Sequence, residues 1–94
     1  MPDIRHNPDL QRYEICQDGQ VIGHLSYREL GDGVVDLPHT KIEPGHEGQG
    51  LAGRLVRHAL DELRAQGRRV RPTCSYVARY IERHPADQAL LEQR

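Results

Sequence analysis

The sequence predicts one α/β domain of the α+β kind. An N-terminal antiparallel meander leads into a βαβα unit through a glycine-rich loop, giving a mixed sheet with helices against it. Three observations carry this reading. Short strand-like runs in the first half are divided by Asp18-Gly19 and Gly31-Asp32-Gly33, both turn signatures. The second half changes period, with Leu51, Ala52, Leu55, Val56, Ala59, Leu60 and Leu63 forming one helical stripe. The length of 94 residues fits a single domain, 1–94, and argues against separate cofactor and substrate domains.

Each element has its own signal. Residues 10–16 alternate, and Tyr13 and Ile15 favour a strand. Residues 20–30 read as the return strand of a hairpin at Asp18-Gly19. A segment ahead of Asn7-Pro8 is a candidate extra edge. Residues 34–42 form the next strand, with Pro38 implying an irregularity or an edge. The helix runs from Gly50 to Gln66 and ends at Gly67, the expected C′ glycine. Residues 68–73 are a short strand around Val70. Residues 75–83 return to helical spacing until Pro85, and 86–92 can add one further turn.

Composition narrows the function classes. Thirteen Lys and Arg face fourteen Asp and Glu, a formal net charge of −1. A nucleic-acid binder of this size would be clearly basic. No apolar run approaches the ~18 residues that a membrane span needs. The N-terminus lacks the basic and apolar regions of a secretory signal. Two cysteines cannot build a disulfide scaffold, so a cytoplasmic protein with free thiols is expected. None of the six histidines has a metal-ligand spacing, so no metal is expected. With no Phe or Trp, the core must rest on aliphatic side chains.

The stretch that points to chemistry is Pro44-Gly45-His46-Glu47-Gly48-Gln49-Gly50-Leu51-Ala52, between a strand and the strongest helix. Backbone amides there point outward at the positive end of the helix dipole. Glycines let a ligand approach the main chain closely. This suits a phosphate or pyrophosphate. A glycine-rich connection with no ligand fits the same letters. No Gly-Lys-Ser/Thr is present, and a meander before the loop is the wrong context for a dinucleotide fold.

The run HTKIEPGHEGQGLAGRLVRHALDELRAQGRRVRPTCSYVARYIERHP, with HNPDLQRYEICQDGQVIGHLSY upstream, resembles the GNAT-type N-acetyltransferase superfamily. More closely it resembles the small stand-alone YjdJ-type N-acetyltransferase-domain proteins. The signature Arg/Gln-x-x-Gly-x-Gly/Ala falls on Glu47, Gly50 and Ala52, with Gly48, Gln49 and Leu51 between. Glu47 departs from the usual Arg or Gln, and a carboxylate beside a pyrophosphate repels it. Backbone donation from Gly48 to Gly53 does not need that side chain.

The resemblance implies acetyl-CoA as donor, bound where two parallel strands splay apart. Its pyrophosphate would lie on the amides of Gly48–Gly53, and its pantetheine arm along His39, Thr40, Lys41 and Ile42. A cysteine in Pro-x-Cys-x-Tyr-Val, here Pro72, Cys74, Tyr76 and Val77, would sit near the thioester. Cys74 precedes a helix N-terminus, a position that favours thiolate character in general. It could take the acetyl group or wall the pocket, and a buried inert thiol is the plain alternative. Histidine suits general-base work near neutral pH, which makes His39 a candidate, beside a purely structural role. Tyr76 and Tyr80 are the phenols available to protonate the departing thiolate, and either could equally belong to the core. Tyr80 and Cys74 also count among the expected cofactor contacts. The implied activity is acetyl transfer to an amine acceptor, a small molecule or a protein. A non-catalytic acyl-CoA-binding or sensor module is the alternative, and an interaction domain without ligand a further one.

Overall fold

The computed structural model describes residues 2–92. Strands β1 (Asp3–Asn7), β2 (Arg12–Gln17), β3 (Gln20–Gly31), β4 (Val34–Ile42) and β5 (Arg69–Arg71) form one sheet in sequential order. The first three neighbouring pairs are antiparallel, and β4 and β5 are parallel. Helix α1 (Leu51–Ala65) makes the crossover between β4 and β5, α2 (Ser75–Glu82) follows, and a 3-10 helix spans Pro85–Leu90. This is the mixed α/β architecture expected from the sequence.

Local chemistry explains the meander. Asp18 and Gly19 both take positive φ, 51° and 79°, which matches a tight hairpin to the right-handed twist of its strands. Side chains then alternate across the sheet. Tyr13, Ile15, Leu25, Val35 and Leu37 enter the core. Opposite them lie Leu51, Leu55, Val56, Ala59, Leu60 and Leu63 of α1. Val77 and Ile81 of α2 and Leu90 complete one cluster. Each fully buried aliphatic chain stabilises by about 1.5–3 kcal/mol.

Pro38 marks an irregularity, as expected, and it has consequences. Ser26 pairs with His39, whereas Arg28 pairs with Asp36, so β4 carries one extra residue opposite Tyr27. Such a bulge shifts the alternation of everything after it. Thr40 and Ile42 therefore face inward with Leu25 and Gly23, their partners on β3. His39 and Lys41 face outward.

The 68–73 strand is shorter than expected, covering only Arg69–Arg71, because the chain leaves the sheet at Pro72. The C-terminal segment does more than add a turn. Leu91 bridges Val70 in parallel, and the Glu92 amide donates to the Val70 carbonyl, so this segment covers the outer edge of β5.

A buried carboxylate ties the C-terminal turn to α1. Asp87 is 1% exposed and accepts two hydrogen bonds from Arg57, at 2.7 and 2.8 Å, and one from Arg64 at 2.8 Å. The Arg57 bond, with Arg64 in support, holds the Asp87 carboxyl below the usual carboxylate range. A depressed folded value contributes stability that is fully present above the unfolded value of about 4 and is lost as pH falls through the folded value. Replacing Asp87 with Asn should cost about 2 kcal/mol, less than for a fully buried pair because the arginines stay partly solvated. Urea denaturation from pH 7 to pH 2 checks both points. The wild type should lose stability in acid, and Asp87→Asn should start lower with a flatter acid limb.

Candidate functional site

The site lies where β4 and β5 part. They pair only through Val34, Val35 and Asp36 with Arg69, Val70 and Arg71. One further link follows, from the Cys74 amide to the Leu37 carbonyl at 3.0 Å. Beyond it β4 continues to Ile42, and among the described residues no strand pairs with it on that side. The Glu43 amide donates to Ile22 O on β3, which fixes the alternation. His39 and Lys41 bond toward β3, and the main-chain groups of Thr40 and Ile42 point to the open edge.

Asp36 stands at the last paired position. It is 1% exposed, in contact with both sides of the gap. Its Oδ1 accepts from the Thr73 hydroxyl at 2.6 Å, and its Oδ2 accepts from Arg28 at 2.8 Å. Burial pushes the carboxyl up, but the bonds from Thr73 and Arg28 outweigh it and hold the group below the usual range. Asp36 therefore stays charged and grips the residue before Cys74. Sequence reading missed this residue. An acid inside the apolar run Val34-Val35-Asp36-Leu37 was the available signal.

Cys74 caps α2 in an extended conformation, φ −75° and ψ 127°. Its half-buried thiol lies 3.6 Å from the Thr40 hydroxyl. The structure thus brings Cys74 and Thr40 together at the mouth of the gap. His39 is not with them. Its ring lies 5.7 Å from that of His24 on the outer face of the sheet. Burial, with Arg12 and His39 nearby, lowers the pKa of His24, so this pair favours neutral imidazole at His24. Lys41 is also outward, 3.9 Å from the Glu43 carboxylate.

The loop after β4 turns at Pro44 and Gly45, where His46 N–H donates to Glu43 O and Gly45 has φ 91°. Glu47 turns its carboxylate back on the loop and accepts from the Gly45 amide at 2.9 Å. Gly50 enters α1 at φ 75°, a left-handed conformation that costs any side chain. Among the described residues no side chain caps the helix, and its first turn holds no acidic residue. Among the described residues no acceptor takes the amides from Gly48 to Gly53, Gln49, Leu51 and Ala52 included; the first helical bond is Arg54 N–H to Gly50 O. These donors sit at the positive end of the helix dipole.

Two tyrosines of α2 reach toward α1. The Tyr76 hydroxyl lies over Gly53, 3.5 Å from where a Cβ would be. Burial, with Tyr80 nearby, raises the Tyr76 pKa, so the phenol keeps its proton at neutral pH. Tyr80 stacks on His84 with ring centres 4.0 Å apart and accepts from Arg57 at 3.4 Å. Among the described residues no hydrogen bond joins either phenol to Cys74. A groove of about 490 Å³ runs along α1 past Gly50, Gly53, Arg54, Arg57 and Tyr80.

The hold of Asp36 on Thr73 should be measurable at Cys74. Thr73→Val removes the hydroxyl and strands a buried carboxylate oxygen, costing about 1–3 kcal/mol. The rate of iodoacetamide alkylation at Cys74, followed by mass spectrometry, should rise as the turn loosens. Thr73→Ser should behave as wild type in both respects.

Comparison with known proteins agrees with this geometry. The family model of the GCN5-related N-acetyl-transferase matches residues 12–90. Protein NATD1 of Homo sapiens is 32% identical over 88 residues, covering 94% of this chain and 75% of that protein. Protein NATD1 of Mus musculus is 29% identical over 91 residues, covering 93% and 80%. The solution structure of a GCN5-like protein from Staphylococcus aureus superposes with a TM-score of 0.75 over 98% of this chain and 89% of that one, at 16% identity. A GNAT family acetyltransferase from Brucella melitensis, solved in complex with acetyl-CoA, gives 0.60 over 73% of this chain and 50% of that one, at 27% identity. A strand pair that opens into an uncapped helix, and a family model spanning both, have one reading: the chain belongs to the GCN5-related N-acetyltransferase family.

Proposed function

We propose that the protein is an acetyl-CoA-dependent N-acetyltransferase acting on an amine acceptor. The observation that carries this is the continuous open edge from Cys74 and Thr40, past Ile42, to the unpaired amides of Gly48–Gly53. That edge offers main-chain donors and acceptors to an extended amide-bearing arm, and the amides suit a diphosphate. Glu47, turned back on Gly45, does not block them. The relative from Brucella melitensis with bound acetyl-CoA supports the same donor. Both cysteines are free thiols, which fits a reducing, cytoplasmic setting.

Bound acetyl-CoA supplies an acyl group activated as a thioester. The chain holds the diphosphate on the α1 amides, pairs the arm along Thr40 and Ile42, and presents the Cys74 thiol at the acyl end. In one route the Cys74 thiolate forms a bond to the acyl carbon and the CoA thiolate departs. The amine then takes the acetyl group from Cys74 and loses one proton to solvent. In the other route the amine bonds to the acyl carbon directly, the CoA thiolate departs, the amine loses one proton to solvent, and Cys74 serves as a wall. His39 faces outward, so a base role for it is confined to an amine arriving over the outer face. In this reading the acceptor is a protein amine or a small amine held in a shallow site.

A second reading, a binding or sensor module without turnover, draws on one observation. Among the described residues no histidine or carboxylate hydrogen-bonds Cys74.

Thermal unfolding with added CoA tests donor binding, since a ligand at a hundred times its Kd stabilises by about 2.7 kcal/mol. Acetyl transfer to a panel of amines then separates enzyme from sensor. Incubation with acetyl-CoA should add about 42 Da at Cys74 in the covalent route, and Cys74→Ala should abolish that adduct and most turnover. A thermal shift without transfer to any amine would favour the sensor. No shift at millimolar CoA would remove both.

A further inference from the structure

We propose that the outward ridge of α2 reads the 3′-phosphoadenosine end of the donor, with Arg79 and Arg83 gripping the 3′-phosphate and Tyr76 supporting the base. This rests on the acetyl-CoA reading above and extends it to specificity at the nucleotide end.

The argument begins with how this chain uses its arginines. Carboxylates hold Arg12, Arg28, Arg57, Arg64, Arg68 and Arg71. Main-chain carbonyls or a cysteine sulfur take the others described before α2. Arg79 and Arg83 alone among the described arginines have no partner, and both are exposed. Arg79 lies in the last turn of α2 and Arg83, four residues on, is its C-cap in a helical conformation, so their guanidinium groups share a face and repel each other. In a chain of net charge −1 this is an isolated pair of uncompensated positive charges.

The pair does not stand on a bare surface. Arg79 and Arg83 line a cavity of about 260 Å³ together with Tyr76, Tyr80 and His84. The Tyr80 ring is already stacked on His84. Tyr76 is 41% exposed and lines the cavity, an aromatic residue with room beside it for a base. Its hydroxyl meets Gly53 in α1, so the cavity opens beside the amides assigned to the diphosphate. A ligand anchored on those amides can reach the arginines without crossing the core. A phosphomonoester carries close to two negative charges and is met by two guanidinium groups. CoA has such a group on its ribose, and dephospho-CoA lacks it.

Titration calorimetry with CoA and dephospho-CoA at fixed low salt tests this. The wild type should bind CoA about tenfold more tightly. Arg79→Gln/Arg83→Gln should erase that preference while leaving the affinity for dephospho-CoA unchanged. Tyr76→Leu should weaken both nucleotides by a similar factor, about tenfold, and keep their ratio. Equal wild-type affinities, or a preference that survives the double substitution, would overturn the phosphate assignment. Unchanged affinities in Tyr76→Leu would remove the ring from the site. Binding of neither nucleotide by the wild type would instead bring down the donor assignment itself.

Discussion

The structure depends on two parallel strands being stopped from zipping further. β4 and β5 share three residue pairs and then separate. Asp36 and Pro38, both on β4, enforce this. The buried Asp36 carboxylate holds Thr73, so the chain after β5 turns toward α2 instead of continuing along β4. Pro38 has no amide to offer a neighbouring strand, and the bulge around it rotates the rest of β4. The outcome is an edge with free main-chain groups inside a folded domain, normally a liability. Here it is short, sheltered beside α2, and continuous with a helix N-terminus that also lacks partners.

Much of the fold was legible from local signals. Asp18-Gly19 specified the β2–β3 hairpin because few residue pairs tolerate the left-handed conformation it needs. The apolar stripe from Leu51 to Leu63 specified α1 because all its positions except Ala52 are fully buried. The glycine loop was readable as a main-chain donor site because its chemistry does not depend on side chains. What failed to show was the consequence of the bulge. Periodicity along β4 does not reveal that one extra residue sends His39 to the outer face and Thr40 toward Cys74. Long-range polar ties were equally hidden. Asp36 with Thr73, and Asp87 with Arg57 and Arg64, join residues far apart in sequence, and only an acid in an apolar context hinted at the first.

A chain of this size relies on such ties. With Leu, Val and Ile as its main apolar residues, the core leaves a narrow margin. Asp87 fastens the C-terminal turn to α1, and Leu91 seals the edge of β5. These contacts keep α2 and its N-cap residue, Cys74, fixed against the sheet. Fold stability and site geometry therefore share the same few bonds.

Amide chemical shifts followed by ¹H–¹⁵N spectroscopy during addition of CoA test the central account most directly. It predicts that the amides of Thr40 and Ile42, and those from Gly48 to Gly53, move together and saturate at one concentration, while His39 and Lys41, bonded toward β3, move little. Shifts confined to other surfaces, with Thr40 and the Gly48–Gly53 turn unmoved, would contradict it.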